Sequence, residues 1–311
     1  MPRWAHALAG VTSVARCAKT LAMSDYDADA IARYLEQTDA ELKVYIDPEH
    51  MSYLPVYLGR ADARFAAKEP PEAVLRELWL ASKVYAAHGK IMLTKWPPSQ
   101  VRRRRLDPLE VGLIAGDREV LKQLAKVFGI DPLVLYAGIE PEEVTQEIAA
   151  LTPYFKTETV NDPVELAGTL ALFYWLMLAA VAGEDPEGFE VARRRAMRCH
   201  DDFGHLLGGA SGGIARIRVI HQGLAAVRPA NPEKLARAIV QHSQLWQLEH
   251  ERQKKNDEDA RTRGLGGLDR TSLALLALAR AFDIELGPAL VANGAPEWLL
   301  TWAATFAHGT A

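Results

Sequence analysis

The stretch Asn231–Asp283 reads NPEKLARAIVQHSQLWQLEHERQKKNDEDARTRGLGGLDRTSLALLALARAFD. It divides into a long helix, a glycine break and a second helix. Asn231 is placed to cap the first helix. Pro232 opens it, where a proline lacks only a donor that would stay unpaired anyway. Leu235, Ile239, His242 and Trp246 recur at helical spacing and form one seam. The far end, Glu249–Arg263, carries five acids and five bases. The second helix, Asp269–Phe282, is apolar almost all round, with Asp269 as its cap. A helix of that kind is buried, so the pattern predicts Asp269–Phe282 at the centre of a core.

The same helical grammar extends outward in both directions. Trp4, Leu8, Val11, Ala15 and Ala18 form an amphipathic stripe. Asp25 or Asp27 can cap a helix carrying Ile31, Leu35 and Leu42. Pro55 makes the first turn of Met51–Ala67 irregular. Pro70 and Pro71 open a long helix that Pro97 and Pro98 end. The run VRRRRLDP is then expected as a solvated linker between two helical blocks, with nucleic-acid contact through Arg102–Arg105 as the alternative. In LIAGDREVLKQLA, Gly116 breaks and Asp117 caps, the mark of a helical hairpin. Gly183 and Asp185 repeat that arrangement. Leu166–Ala182 carries no charge over 17 residues. That is the lower limit for a membrane span, and a core helix is expected. No run alternates as a strand should; KTETV at Lys156–Val160 comes nearest. The expected fold is all-α and multi-helical, built of stacked helical hairpins with little or no sheet. Its parts are an N-terminal helical region over 1–100 and a C-terminal helical domain over 107–311, or one continuous domain.

Composition fits a globular chain. Of 311 residues, 49% are hydrophobic and 24% charged, enough to bury a sizeable core. The net charge of -4 argues against a general nucleic-acid binder. Two cysteines, Cys17 and Cys199, suit a reducing cytoplasm better than a disulfide framework. Arg16 and Lys19 interrupt the apolar run a signal peptide would need. A cytoplasmic protein with no membrane partner is expected.

Chemical motifs are weak. Cys199, His200, Asp201, Asp202 and His205 crowd together, but His200 and His205 do not share a helix face, and no second ligand pair stands elsewhere. No metal is expected. The loop GGASGG can offer backbone N–H groups to a phosphate, yet it lacks the Lys-Ser/Thr of a phosphate loop, so a hinge is expected. No nucleophile with a companion base is visible. Glu249 and Glu251 point to opposite sides of a helix and suit acid–base work poorly. Pairing of Arg252 with Glu249 and of Lys255 with Glu251 is expected instead. No catalytic residue and no cofactor are assigned. The alternative is an all-α enzyme or ligand-binding domain, with a pocket beneath Trp246, His242, Trp175 and Tyr174.

The segments QLEHERQKKNDED, RGLGGLD, SLALLALARAFDIEL and PEWLL, with LIAGDREVLKQLA earlier, resemble the immunity 49 family of bacterial polymorphic-toxin immunity proteins. The resemblance covers Leu109–Leu300. It implies an α-helical cytoplasmic protein without catalytic activity. Such a protein binds and neutralises a cognate toxin domain delivered by a contact-dependent or type VI secretion route. Inhibitors of basic toxins use charge complementarity to speed encounter. The acidic clusters are therefore the candidate toxin-binding residues: Glu249, Glu251, Asp257, Glu258 and Asp259, with Glu142 and Glu143 in Ile139–Glu147. Gly183–Glu190 is a further acidic cluster.

Overall fold

Asp269 accepts a hydrogen bond from the Ser272 backbone N–H and so starts the apolar helix where the sequence places it. Around it the computed structural model describes residues 26–43, 47–95, 98–129, 163–207 and 213–308. Among these residues every regular element is helical, as expected. The first helices are α1 (Ala28–Glu41), α2 (Leu54–Ala66), α3 (Pro71–Lys95), α4 (Pro98–Ala115) and α5 (Arg118–Phe128). Then follow α6 (Pro163–Ala182), α7 (Pro186–Phe203), α8 (Gly213–Ala225) and α9 (Pro232–Asn256). The last are α10 (Glu258–Thr262), α11 (Arg270–Ala281), α12 (Gly287–Ala292) and α13 (Glu297–His308).

Side-chain caps set many of these starts. Asp27, Asp117, Asp185, Asn231 and Asp257 each accept from backbone N–H groups of the following first turn. Each such cap contributes about 1 kcal/mol. Pro55 has the expected effect: a 3-10 turn, Met51–Tyr53, precedes α2. Gly116 takes the left-handed conformation at φ 75° and ends α4. In the second hairpin that conformation falls on Glu184, at φ 56°, and not on Gly183. The Glu184 carboxylate reaches Arg118 and Lys122 and ties the second hairpin to α5.

The segment Val101–Pro108 is not a linker. Helix α4 runs from Pro98 through the arginine run and takes in Pro108. Pro98 sits at a first position, where its missing donor costs nothing, and arginine is a good helix former. The helix packs on α3, α5, α6 and α11.

Ser272–Ala279 are buried without interruption, so α11 is the expected core helix. Helix α6 lies beside α4, α5, α7 and α8, which explains the uncharged run Leu166–Ala182. No helix among the described residues is long and apolar enough to cross a membrane. One hydrophobic cluster runs from Tyr53 to Phe306 and includes Leu78 and Val84 of α3, Trp175 of α6 and Leu290 of α12. A small satellite of Ile31, Ala63 and Ala66 clamps α1 to α2.

Candidate functional site at the recess and charged end of α9

The seam of α9 changes use along its length. Leu235, Ile239 and His242 are buried in the core. One turn later, Ser243, Trp246, Gln247, His250 and Glu251 line a recess. Its other walls are Tyr26, Phe65 of α2, Gly267, Asp269 and Trp298 of α13. The recess is shallow: its enclosed volume is about 20 Å³, room for about one water molecule or one polar atom of a ligand. Phe65 and Trp298 meet edge to face at 5.3 Å.

The turn between α10 and α11 forms the recess floor. Gly264 and Gly266 have φ of 68° and 75°, a conformation that disfavours any side chain. A Cβ on Gly264 would also lie 2.8 Å from that of Ala66. Asp62 of α2 pins this turn from 204 residues away, accepting the Gly266 N–H at 2.9 Å. The Arg270 guanidinium lies 3.3 Å from the same carboxylate. Burial pushes the Asp62 carboxyl up, against the pull of Arg270 and of the Gly266 and Leu268 N–H groups.

Behind the floor, His242, Asp269 and Ser272 form a closed set. His242 Nδ1 is 3.2 Å from Asp269 and 3.0 Å from the Ser272 hydroxyl, which donates to Asp269 at 2.5 Å. A nucleophilic triad places acid and serine on opposite ring nitrogens; here both meet Nδ1, and all three groups are buried. Burial raises the Asp269 carboxyl, but His242 and the hydrogen bonds from Ser272 outweigh it and hold it below the usual carboxylate range. The geometry is that of a positioned cap.

Two more buried groups titrate away from their ordinary values. Glu110 accepts from Tyr174 and Thr271, both at 2.9 Å. Burial, with Asp107 nearby, still pushes its carboxyl up to about 7. His221 meets the Leu170 carbonyl at 2.8 Å, and burial, with His200 nearby, lowers it to about 4. The two act in opposite directions on stability. Raised Glu110 contributes stability below about pH 4.5 that is lost as pH rises through 7. Depressed His221 contributes stability above about pH 6.5 that is lost as pH falls toward 4. Each is worth about 3 kcal/mol, and between about pH 4.5 and 6.5 the slopes cancel. Urea midpoints of Glu110→Gln minus wild type should therefore rise with pH across that window, and those of His221→Gln minus wild type should fall. A flat difference curve for either variant contradicts its assignment.

The candidate acidic residues part company. Glu249 faces α8 and pairs with Arg216 at 2.8 Å, not with Arg252. That arginine stacks 5.0 Å over the Trp246 ring. Glu251 pairs with Lys254 at 3.3 Å, not with Lys255, because the Lys254 ammonium turns inward over the Tyr26 ring at 3.8 Å. Asp257 is spent as the cap of α10, and the Ala260 N–H, first among its bonds, lowers its carboxyl. Asp259 meets Arg263 at 3.3 Å. Glu258 is exposed at the tip. Glu142 and Glu143 lie outside the described residues, as do Lys156–Val160, residues 208–212 of the glycine loop and Trp4–Ala18. In the Gly183–Glu190 cluster, Glu184 is bound as above, Asp185 is a cap, and Glu190 holds Arg193 and Arg194.

Of the four residues expected around a pocket, only Trp246 lines the recess. Tyr174 and Trp175 are sealed in the core, donating to Glu110 and to the Phe128 carbonyl. Tyr26, Phe65, His250 and Trp298 enter instead. Only His250, four residues beyond Trp246 on the same seam, had a local signal. Cys199 is buried, and burial, with Asp202, pushes its thiol up to about 11. Among the described residues no three His, Cys, Asp or Glu converge as metal ligands would. No protein-family model, curated protein or solved structure matches this chain.

Proposed function

We propose that this chain is an immunity protein: it binds a cognate secreted toxin domain one to one in the cytoplasm and blocks it without catalysis. The observation that carries this reading is the exposed acidic tip where α9 meets α10, led by Glu258 between the capping Asp257 and the Arg263-paired Asp259. The buried pairs Asp62–Arg270 and His242–Asp269, by contrast, are spent inside the fold. An acidic projection suits a basic partner, whose encounter it accelerates. The resemblance of the α9–α11 segment to the immunity 49 family supports the same reading.

The test is co-expression with the product of the adjacent reading frame. Growth should be rescued, and the pair should elute together from gel filtration. Absence of both rescue and complex removes the proposal. Within a complex, Glu258→Lys combined with Asp259→Lys should slow association about ten-fold or more at low salt, with the melting curve unchanged. An unaltered rate would move the contact face away from α10.

A further inference from the structure

Two polar atoms of the residues lining the recess are buried without a hydrogen-bond partner: Trp246 Nε1 and His250 Nδ1. They stand four residues apart on α9 and so share one face. An indole N–H can only donate. The histidine's other nitrogen, Nε2, lies 2.8 Å from the Tyr26 hydroxyl. Burial pushes the Tyr26 phenol up, first of all, and Glu251 and Asp62 add to it, so the hydroxyl stays protonated. Burial and the Lys254 charge push His250 down, so its ring is neutral at pH 7. The simplest bonding has Tyr26 donating to Nε2, which leaves the ring proton on Nδ1.

Helix α9 thus offers two N–H donors, one turn apart, that meet no acceptor among the described residues. A buried donor left unmatched is destabilising, and an incoming acceptor removes that penalty. The surrounding surface is aromatic, from Tyr26, Phe65 and Trp298. Its charged members, Glu251 and Asp269, are both acids held by Lys254 and His242, so the lining supplies no cation for an anion. We infer that this recess binds small neutral molecules carrying a carbonyl acceptor, of the carboxamide class, with the oxygen received by Trp246 Nε1–H and His250 Nδ1–H. The site does not depend on the immunity reading.

The probe is acetamide, titrated into the ¹⁵N-labelled full chain while the tryptophan indole N–H resonances are followed. The Trp246 resonance is identified by its loss in Trp246→Phe or, should that variant not fold, by assignment of the wild-type chain. It should move downfield and saturate, while the other indoles respond weakly or not at all. Acetate, of similar size but charged, should bind at least about ten-fold more weakly, a difference of about 1.4 kcal/mol. His250→Phe keeps the reporter and should abolish saturation. A shift that stays linear, equal binding of acetate, or undiminished binding by His250→Phe overturns the proposal.

Discussion

Leu276→Asp should abolish the cooperative melting transition. Leu276 is 3% exposed at the middle of α11 and belongs to the hydrophobic cluster. The substitution removes a packed side chain and places a carboxylate inside the apolar cluster. Burying an unpaired charge lies in the tail of mutational effects, above about 4–5 kcal/mol. Whole domains are stable by only about 5–15 kcal/mol. Helical circular dichroism during heating should therefore fall without a sharp midpoint. Leu276→Met, similar in volume, should cost less than about 1.5 kcal/mol. An unchanged melting curve for the aspartate variant would show that α11 is not the core helix.

Asp62→Ala should cost about 3–5 kcal/mol, the usual loss when one partner of a buried ion pair is removed. The change strands the Arg270 guanidinium and leaves the Gly266 N–H without its acceptor. Asp62→Asn keeps an acceptor and loses the charge, so it should fall between alanine and wild type. Urea midpoints at constant slope measure both. Amide exchange at Gly266 should accelerate in the alanine variant. A loss below about 1 kcal/mol would mean that the turn holds itself through its glycines alone.

Much of the architecture was legible because it is local. Caps such as Asp117, Asn231 and Asp269 announce themselves by type and position, and the alanine–leucine face of α11 announces its burial. The arginine run misled because consecutive charges report solvation, not backbone shape; Pro98 at a first position carried the helical signal. The pairing of Glu249 failed for a different reason. A nearby Arg252 on the same helix lost to Arg216, which α8 brings against α9. The recess was invisible because its walls come from positions 26, 65, 267 and 298 as well as α9. Of the residues named for toxin contact, only their acidity was legible. Which of them is spent internally depends on neighbours far along the chain.

The clasp between Asp62 and the α10–α11 turn also fixes an order of events during synthesis. The carboxylate leaves the ribosome 204 residues before the Gly266 amide that completes its shell. At about 5–20 residues per second the wait lasts about 10–40 s. During that time Asp62 stays in water, while Arg60 and Arg64 on the same helix already have Glu77 as a partner. The Asp62 carboxylate, later buried, keeps its face of α2 hydrated until the C-terminal turn arrives. A nascent chain stalled before Gly266 should therefore remain protease-sensitive around α2, and release of the full chain should close it.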